Sequence, residues 1–164
     1  MFSRIERLPE KKLVGRSLQM SLLENRTYEL WSGFMPMRKQ ITYQVGQHLF
    51  SMQVYDPSLD FKNFNSKTLF TKWAAIEVND FDMIPETLHP YILKGGLYAV
   101  FIHKGPSSSF PKIAQYIFGQ WLPDSAYELD SREHFELLAE NYKPNDPSTE
   151  EEVWIPIRLN DEKK

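Results

Sequence analysis

Apolar and polar positions alternate along several short segments of the chain, and two longer segments carry apolar residues at helical spacing. Alternation with a period of two is typical of half-buried strands, and a spacing of three or four residues is typical of amphipathic helices. The pattern predicts strands over residues 13–22, 49–56, 71–80, 96–106, 134–141 and 152–159. It predicts helices over residues 27–41 and 107–123, with Thr27 and Ser109 as their N-caps.

Proline and glycine modify these elements. Gly33 and Pro36 weaken the second half of the first predicted helix, and the polar, turn-rich residues 57–67 indicate a loop. Pro156 in the last predicted strand indicates an edge strand or a bulge, because proline has no N–H to donate to a neighbouring strand. The polar tail after residue 159 is predicted to fray.

The order of these elements occurs twice along the chain. LVGRSLQMS matches GLYAVFIHK, LWSGFM matches IFGQWL, MQVYD matches FELLA and KWAAIEV matches EVWIPI, at offsets of roughly 80 to 90 residues. This repetition predicts an α+β fold of two tandem β-α-β-β units, about 1–84 and 85–160, within one domain of 164 residues. We expect an antiparallel sheet curled around a central pocket, with the two helices packed outside.

The composition narrows the function classes. The net charge is −3 and no basic run is present, which argues against direct binding to nucleic acid. The chain has no cysteine, which excludes disulfides and thiolate chemistry, and its 4 histidines show no metal-ligand spacing. We therefore predict no metal and no other cofactor. No leader or membrane span is recognisable, so a cytoplasmic location is expected.

Two polar features have simple interpretations. The run Ser107–Ser109 has no G-x-S-x-G motif and no evident histidine partner, which argues against a serine hydrolase. His103 lies on a predicted strand that runs into a Gly-Pro turn, and we interpret it as a structural histidine.

Four separated motifs occur in the second half of the chain: GLYAVFIHKGP, WLPDSAYE, HFELL and EVWIPI. Together they resemble the GyrI-like small-molecule-binding domain, which also forms the effector-binding module of AraC- and MerR-type multidrug regulators. The clear match covers about residues 88–158. Two positions depart from the family pattern: Ala126 replaces a glycine, and Leu138 replaces the aromatic residue of the F-E-x-Y motif.

The resemblance implies a stand-alone domain that binds an amphipathic, often cationic small molecule in an aromatic pocket, with Glu136 on the pocket floor. By the alternation of a strand, Leu138 shares a face with Glu136, so one aromatic wall is missing. A buried carboxylate of this kind has a raised pKa and is neutralised well by a bound cation. The expected ligand-binding residues are Glu136, Trp121, Tyr98, Leu138, Trp73 and Trp154.

Two alternatives remain open at the level of the sequence. Some stand-alone members of the family resemble hydrolases of reactive electrophilic small molecules, and Glu136 would then be the catalytic acid or base. The other alternative is a protein-binding role of the gyrase-inhibitor kind, although no surface for a protein partner can be identified from the sequence.

Overall fold

The computed structural model describes residues 1–143 and 145–163. Its strands are β1 (Phe2–Leu8), β2 (Lys11–Met20), β3 (Leu49–Val54), β4 (Phe70–Val78), β5 (His89–Leu93), β6 (Gly96–Lys104), β7 (Tyr127–Leu129), β8 (His134–Leu138) and β9 (Glu150–Leu159). Its helices are α1 (Thr27–Phe34), α2 (Phe110–Tyr116) and the short α3 (Leu122–Asp124). A 3₁₀ segment, Met35–Gln40, continues α1, and a π-helical turn, Ile117–Trp121, joins α2 to α3. Within these residues, none of the helices has the length and apolar character needed to cross a membrane.

The strands form an antiparallel sheet in the order β1-β6-β9-β8-β3-β4-β2-β5, and β7 pairs with β9 beside this path. The first repeat contributes β2, β3 and β4, the second contributes β6, β8 and β9, and the repeats meet where β3 pairs with β8. The outermost strands are exchanged, because β1 of the first repeat pairs with β6 of the second, and β5 of the second repeat pairs with β2 of the first. The predicted α+β class and the tandem order of elements are confirmed.

One face of the sheet, which we call the inner face, buries a single apolar cluster. Leu8 of β1 and Leu93 of β5 belong to this cluster, together with Trp73, Tyr98 and Trp154. Because strands from both ends of the sheet contribute to this cluster, the sheet must curl around it. The predicted curl of the sheet is thus confirmed. The inner face is therefore filled by the protein's own side chains.

The opposite face, the outer face, carries the helices. Leu30 and Phe34 of α1 are both 0% exposed and pack on the strands of the first repeat. Ile113 and Ile117 pack on the strands of the second repeat. The helical regions therefore cover the two flanks of the outer face, and the β3–β8 seam lies between them.

The helix starts differ from the predicted N-caps. Thr27 is the first helical residue, and Arg26, the N-cap, makes no capping hydrogen bond with its side chain. The backbone N–H of Thr27 donates to Asn25 Oδ1 at 2.9 Å. The Thr27 hydroxyl instead accepts a hydrogen bond from Lys72 Nζ at 3.2 Å. Ser109 does occupy the N-cap position of α2, but its hydroxyl donates to the carbonyl oxygen of Pro106 rather than accepting from a helix N–H.

Pro156 lies inside the sheet, so the predicted edge position is wrong. β9 lies between β6 and β8, and Pro156 pairs with Tyr98 without a register shift. The carbonyl of Pro156 accepts from the backbone N–H of Asp130 at 3.0 Å, and in a strand the N–H of a residue points to the same side as its carbonyl. The missing N–H therefore faces the gap where β9 changes partner from β8 to β7.

Candidate functional site

Glu136 lies in the middle of β8, at the seam between the repeats. In the sheet it is paired with Ser51 of β3 on one side and Val153 of β9 on the other. Phe135 belongs to the inner cluster, whereas Leu138 packs with α1 on the outer face. By strand alternation Glu136 therefore points to the outer face, where its side chain is only partly buried.

The carboxylate of Glu136 has one neutral hydrogen-bond donor. Gln53 Nε2 donates to its Oε1 at 3.2 Å, and no ion pair involves Glu136 among the described residues. Burial raises the pKa of Glu136 to about 7; Lys72 opposes this shift, Glu151 adds to it, and the Gln53 hydrogen bond opposes it. Near neutral pH this carboxyl group is thus available both as an acid and as a carboxylate.

Two tyrosines outside the predicted site lie on the side of the sheet that carries Glu136. Tyr55 follows β3 on the same side as Gln53, and burial together with the charge of Glu136 raises its pKa. Tyr142 lies in the loop after β8, and burial, Glu151 and Glu136 raise its pKa to about 12. Tyr55 meets the ring of His134 edge-on at 4.9 Å, and Tyr142 packs against the apolar cluster that contains Leu138. We therefore include both rings in the candidate site.

His134 lies two residues before Glu136 on the same face and is 4% exposed. Its ring has three aromatic neighbours: Tyr55 at 4.9 Å edge-on, Phe61 at 5.4 Å in a stacked arrangement, and Phe118 at 6.4 Å. Its Nε2 is buried without a hydrogen-bond partner. Burial, with a smaller contribution from Arg132, lowers the pKa of His134 to about 3, so the imidazole is neutral near pH 7.

These side chains define a site on the outer face that we call the seam groove, and it consists of Gln53, Tyr55, His134, Glu136 and Tyr142. Lys72, which binds the first residue of α1, and Phe118, which follows α2, mark its two sides. Four of these five residues could have been grouped from the sequence by strand alternation. Gln53 and Tyr55 are two positions apart at the end of β3, and His134 and Glu136 are two positions apart on β8. No local pattern indicates Tyr142, because it lies in a loop.

Trp73, Tyr98 and Trp154 do not share this site. They lie in the inner cluster and are 9%, 0% and 4% exposed, so the sheet separates them from Glu136. Glu136 was predicted to lie inside the curl with these three rings. The structure corrects that arrangement, because β8 turns Phe135 inward and Glu136 toward the helices.

Trp121 and Leu138 are on the outer face. Trp121 stacks on Phe2 at 5.1 Å and meets Phe101 edge-on at 5.1 Å, so its ring fastens the helical segment to β1 and β6. Leu138 is 6% exposed and belongs to the cluster under α1, on the face of Glu136 that the alternation predicted.

Ser109 does have a histidine partner, contrary to the interpretation from the sequence. His103 Nε2 lies 2.8 Å from Ser109 Oγ, and His103 Nδ1 lies 2.8 Å from Glu151 Oε1. His103 and Glu151 are buried, and the Ser109 hydroxyl donates to Pro106. The three side chains form a hydrogen-bonded chain that joins the start of α2 to β6 and β9.

Two open surface depressions among the described residues lie outside the seam groove. One of about 230 Å³ is lined by Tyr116, Gln120, Trp121, Asp124 and Ser125. The other, of about 110 Å³, is lined by Arg38, Lys39, Gln44, Gln47, Leu49, Ile76 and Glu140.

Comparison with solved structures supports the fold. The C-terminal domain of EcmrR is 16% identical, with 98% of this chain and 99% of that chain covered and a TM-score of 0.71. SAV2435 bound to tetraphenylphosphonium is 14% identical, with coverages of 96% and 94% and a TM-score of 0.67. A hydrolase encoded by lin2189 from Listeria innocua is 13% identical, with coverages of 94% and 91% and a TM-score of 0.56.

The sequence itself matches a family model. No curated protein sequence matches the chain significantly. The model described as the GyrI-like small molecule binding domain matches residues 1–158, which includes the first repeat, where the motifs were not recognisable. Since this match spans nearly the whole chain, the protein belongs to the GyrI-like small-molecule-binding domain family.

Proposed function

We propose that the protein binds an amphipathic cation in the seam groove, with Glu136 as the counter-charge. The single observation that carries this proposal is the environment of Glu136, a partly buried carboxylate with one neutral donor and no ion-pair partner among the described residues. A lipophilic cation supplies the missing charge, and the faces of Tyr55 and Tyr142 add cation–π attraction of about 0.5–2 kcal/mol each.

Two further points support a cationic ligand. The family is one of small-molecule-binding domains, and the structural neighbour SAV2435 binds tetraphenylphosphonium. In the groove, Lys72 is bound to Thr27 and lies near enough to Glu136 to lower its pKa, but not near enough to form an ion pair. Of the six residues predicted for ligand contact, this proposal keeps Glu136 alone, because Leu138 is buried in the cluster under α1.

The proposal is tested by titrating tetraphenylphosphonium into the wild type and into Glu136→Gln at pH 8, using calorimetry. Loss of the charge should weaken binding about tenfold or more, since Coulomb attraction between a cation and a carboxylate about 4 Å apart is roughly 1–4 kcal/mol near a protein surface. Glu140→Gln is the matched control, because Glu140 follows β8 closely but its side chain is half exposed and pairs with Arg38. Equal affinity in all three proteins would refute the assignment of Glu136.

One observation favours a second function. A carboxyl group with a pKa of about 7, on the face of the sheet that also carries Tyr55 and Tyr142, has the composition of a general acid–base site. The alternative is a hydrolase that opens a strained electrophile such as an epoxide, with Glu136 delivering water to the ring carbon or protonating the leaving oxygen. The neighbour encoded by lin2189 is described as a hydrolase.

The two functions are separated by incubating the protein with epoxide- and cyclopropane-bearing compounds and following the compounds by mass spectrometry. Conversion to a hydrated product that stops in Glu136→Gln would establish the enzyme. Recovery of intact compound at stoichiometric occupancy would establish the binding protein.

A further inference from the structure

The side chains of Ser109, His103 and Glu151 have the composition of a catalytic triad, in which a serine hydroxyl donates to a histidine whose second ring nitrogen meets a carboxylate. Nε2 of His103 lies 2.8 Å from Ser109 Oγ, and Nδ1 of the same ring lies 2.8 Å from Oε1 of Glu151. The positions of the protons decide whether this arrangement can act as a triad.

The carbonyl oxygen of Pro106 fixes the first proton. It lies 2.8 Å from Ser109 Oγ, and a carbonyl oxygen can only accept a hydrogen bond. The single proton of the Ser109 hydroxyl is therefore donated to Pro106, and Ser109 Oγ accepts from Nε2 of His103. Because Nε2 already carries a proton, it cannot take one from Ser109, and the hydroxyl is not activated as a nucleophile.

A second proton lies between His103 and Glu151. Nδ1 and Oε1 are at hydrogen-bond distance, and the two residues are 5% and 7% exposed. Either Nδ1 carries the proton, in an imidazolium–carboxylate pair, or Glu151 carries it and donates to Nδ1. In both cases the pair holds two protons and has no net charge. Without the second proton, a nitrogen lone pair would face a carboxylate oxygen away from water.

Glu151 connects this pair to the seam groove. In the sheet, Glu151 of β9 is paired with His103 of β6 on one side and with Leu138 of β8 on the other. Glu136 is two positions before Leu138 on the same face, so it is the diagonal neighbour of Glu151, about 7–8 Å away. Glu151 interacts electrostatically with Glu136, with Lys72 of β4 and with Tyr142 in the loop after β8.

We propose that His103 and Glu151 share this proton at neutral pH, and that His103 is thereby a positioning residue of the seam groove, because it keeps a neutral pair beside Glu136 in place of a second free carboxylate. The imidazole acts on the groove only through Glu151. This inference rests on the proposed function of the seam groove and adds a residue that regulates the charge of that site.

The protons of the pair are located by NMR of the ligand-free wild type at pH 7, with isotope-labelled histidine and glutamate. Nε2 of His103 should carry a proton, and a second proton should be found on Nδ1 or on the carboxyl group of Glu151. An unprotonated Nε2, or a Glu151 carboxylate facing an unprotonated Nδ1, overturns the inference. Labelling of Ser109 by a fluorophosphonate, which modifies activated serines, also overturns it.

The positioning role is tested by the ionisation of Glu136, followed through its carboxyl resonance. In His103→Gln, Glu136 and Glu151 become two coupled carboxyl groups. The higher of their two ionisations should lie about one pH unit above that of Glu136 in the wild type, because charges about 7–8 Å apart repel each other. In the matched double variant, His103→Gln with Glu151→Gln, the ionisation of Glu136 should return close to its wild-type position. An unshifted ionisation in folded His103→Gln overturns the positioning role.

Both measurements are made without a ligand, which separates this inference from the proposed function. If tetraphenylphosphonium fails to bind while the proton positions and the shift of Glu136 are as expected, only the proposed function fails. If tetraphenylphosphonium binds through Glu136 while Nε2 of His103 is unprotonated, only the inference fails.

Discussion

Gln53 Nε2 donates to Glu136 Oε1 at 3.2 Å, which links β3 of the first repeat to β8 of the second at the level of side chains. The two strands are also paired along their backbones, so the carboxylate lies at the junction of the two repeats. A site at this position draws on both halves of the chain: Gln53 and Tyr55 come from the first repeat, and His134, Glu136 and Tyr142 come from the second. Neither repeat alone can form the seam groove.

Cation binding should strengthen as the pH rises from 6 to 8. With a pKa of about 7, Glu136 is about one tenth ionised at pH 6 and about nine tenths ionised at pH 8. The affinity for tetraphenylphosphonium, a cation at every pH, should therefore rise about tenfold over this interval. His134 does not contribute, because its pKa of about 3 keeps it neutral throughout. Calorimetry at five pH values gives the profile, and Glu136→Gln should flatten it.

Glu136→Gln should stabilise the fold at alkaline pH while it weakens binding. Burial raises the pKa of Glu136 from 4.5 to about 7, so the folded state favours the neutral form. That contribution to stability is fully present below pH 4.5 and is lost as the pH rises to about 7. At pH 8 the variant should be more stable by roughly 1–3 kcal/mol in urea unfolding, and the difference should vanish near pH 4.5. If the difference in stability between the variant and the wild type were no larger at pH 8 than at pH 4.5, the assigned burial of Glu136 would be contradicted.

Trp154→Phe should affect stability and leave ligand affinity unchanged. Trp154 stacks on Phe135 at 5.2 Å and meets Tyr98 at 5.8 Å within the inner cluster, so a smaller ring leaves a cavity there. The expected loss is about 1–3 kcal/mol in urea unfolding. Because the sheet separates Trp154 from Glu136, tetraphenylphosphonium affinity should stay within about twofold of wild type. A large loss of affinity in the folded variant would place Trp154 in the site.

The fold was more predictable than the site, and particular residues show why. Alternation and helical spacing identified the six strands of the two repeats. β1 and β5 were missed, because Phe2–Leu8 is rich in charge and His89–Leu93 contains a proline, and both form edge strands through their exchange between repeats. Such an exchange is a matter of tertiary structure that a local pattern does not contain.

The sequence motif identified Glu136, but it did not show which face of the sheet carries the Glu136 side chain. Alternation shows that Glu136 and Leu138 share a side, which the structure confirms, but it cannot show which side carries the helices. The apolar content of the two faces gives no help, since both faces of β8 are buried against the protein. Tyr142 and Phe61 lie in loops, so their approach to the groove depends on the fold of the loops.

Leu138→Tyr should destabilise the fold and should not improve binding. The substitution restores the aromatic residue of the F-E-x-Y motif, but Leu138 is 6% exposed under α1, where a tyrosine overfills the core. The expected cost is about 1–3 kcal/mol in urea unfolding. Tyr142→Ala should instead weaken tetraphenylphosphonium binding several-fold, because the aromatic surface near Glu136 comes from Tyr142. If Leu138→Tyr strengthened tetraphenylphosphonium binding and Tyr142→Ala left it unchanged, the aromatic wall would be assigned to position 138.

Ser109→Ala should cost about 1–3 kcal/mol, although Ser109 lies outside the seam groove. Its hydroxyl lies 2.8 Å from Nε2 of the buried His103, whose Nδ1 lies 2.8 Å from Glu151. Alanine leaves Nε2 of His103 without this hydrogen-bond partner. Burial already raises the pKa of Glu151, so His103 and Glu151 cannot easily form a different set of hydrogen bonds. Ser108→Ala is the control, because Ser108 is exposed and should change stability by less than about 0.5 kcal/mol. Equal urea midpoints for the two variants would show that the Ser109–His103–Glu151 chain does not stabilise the start of α2.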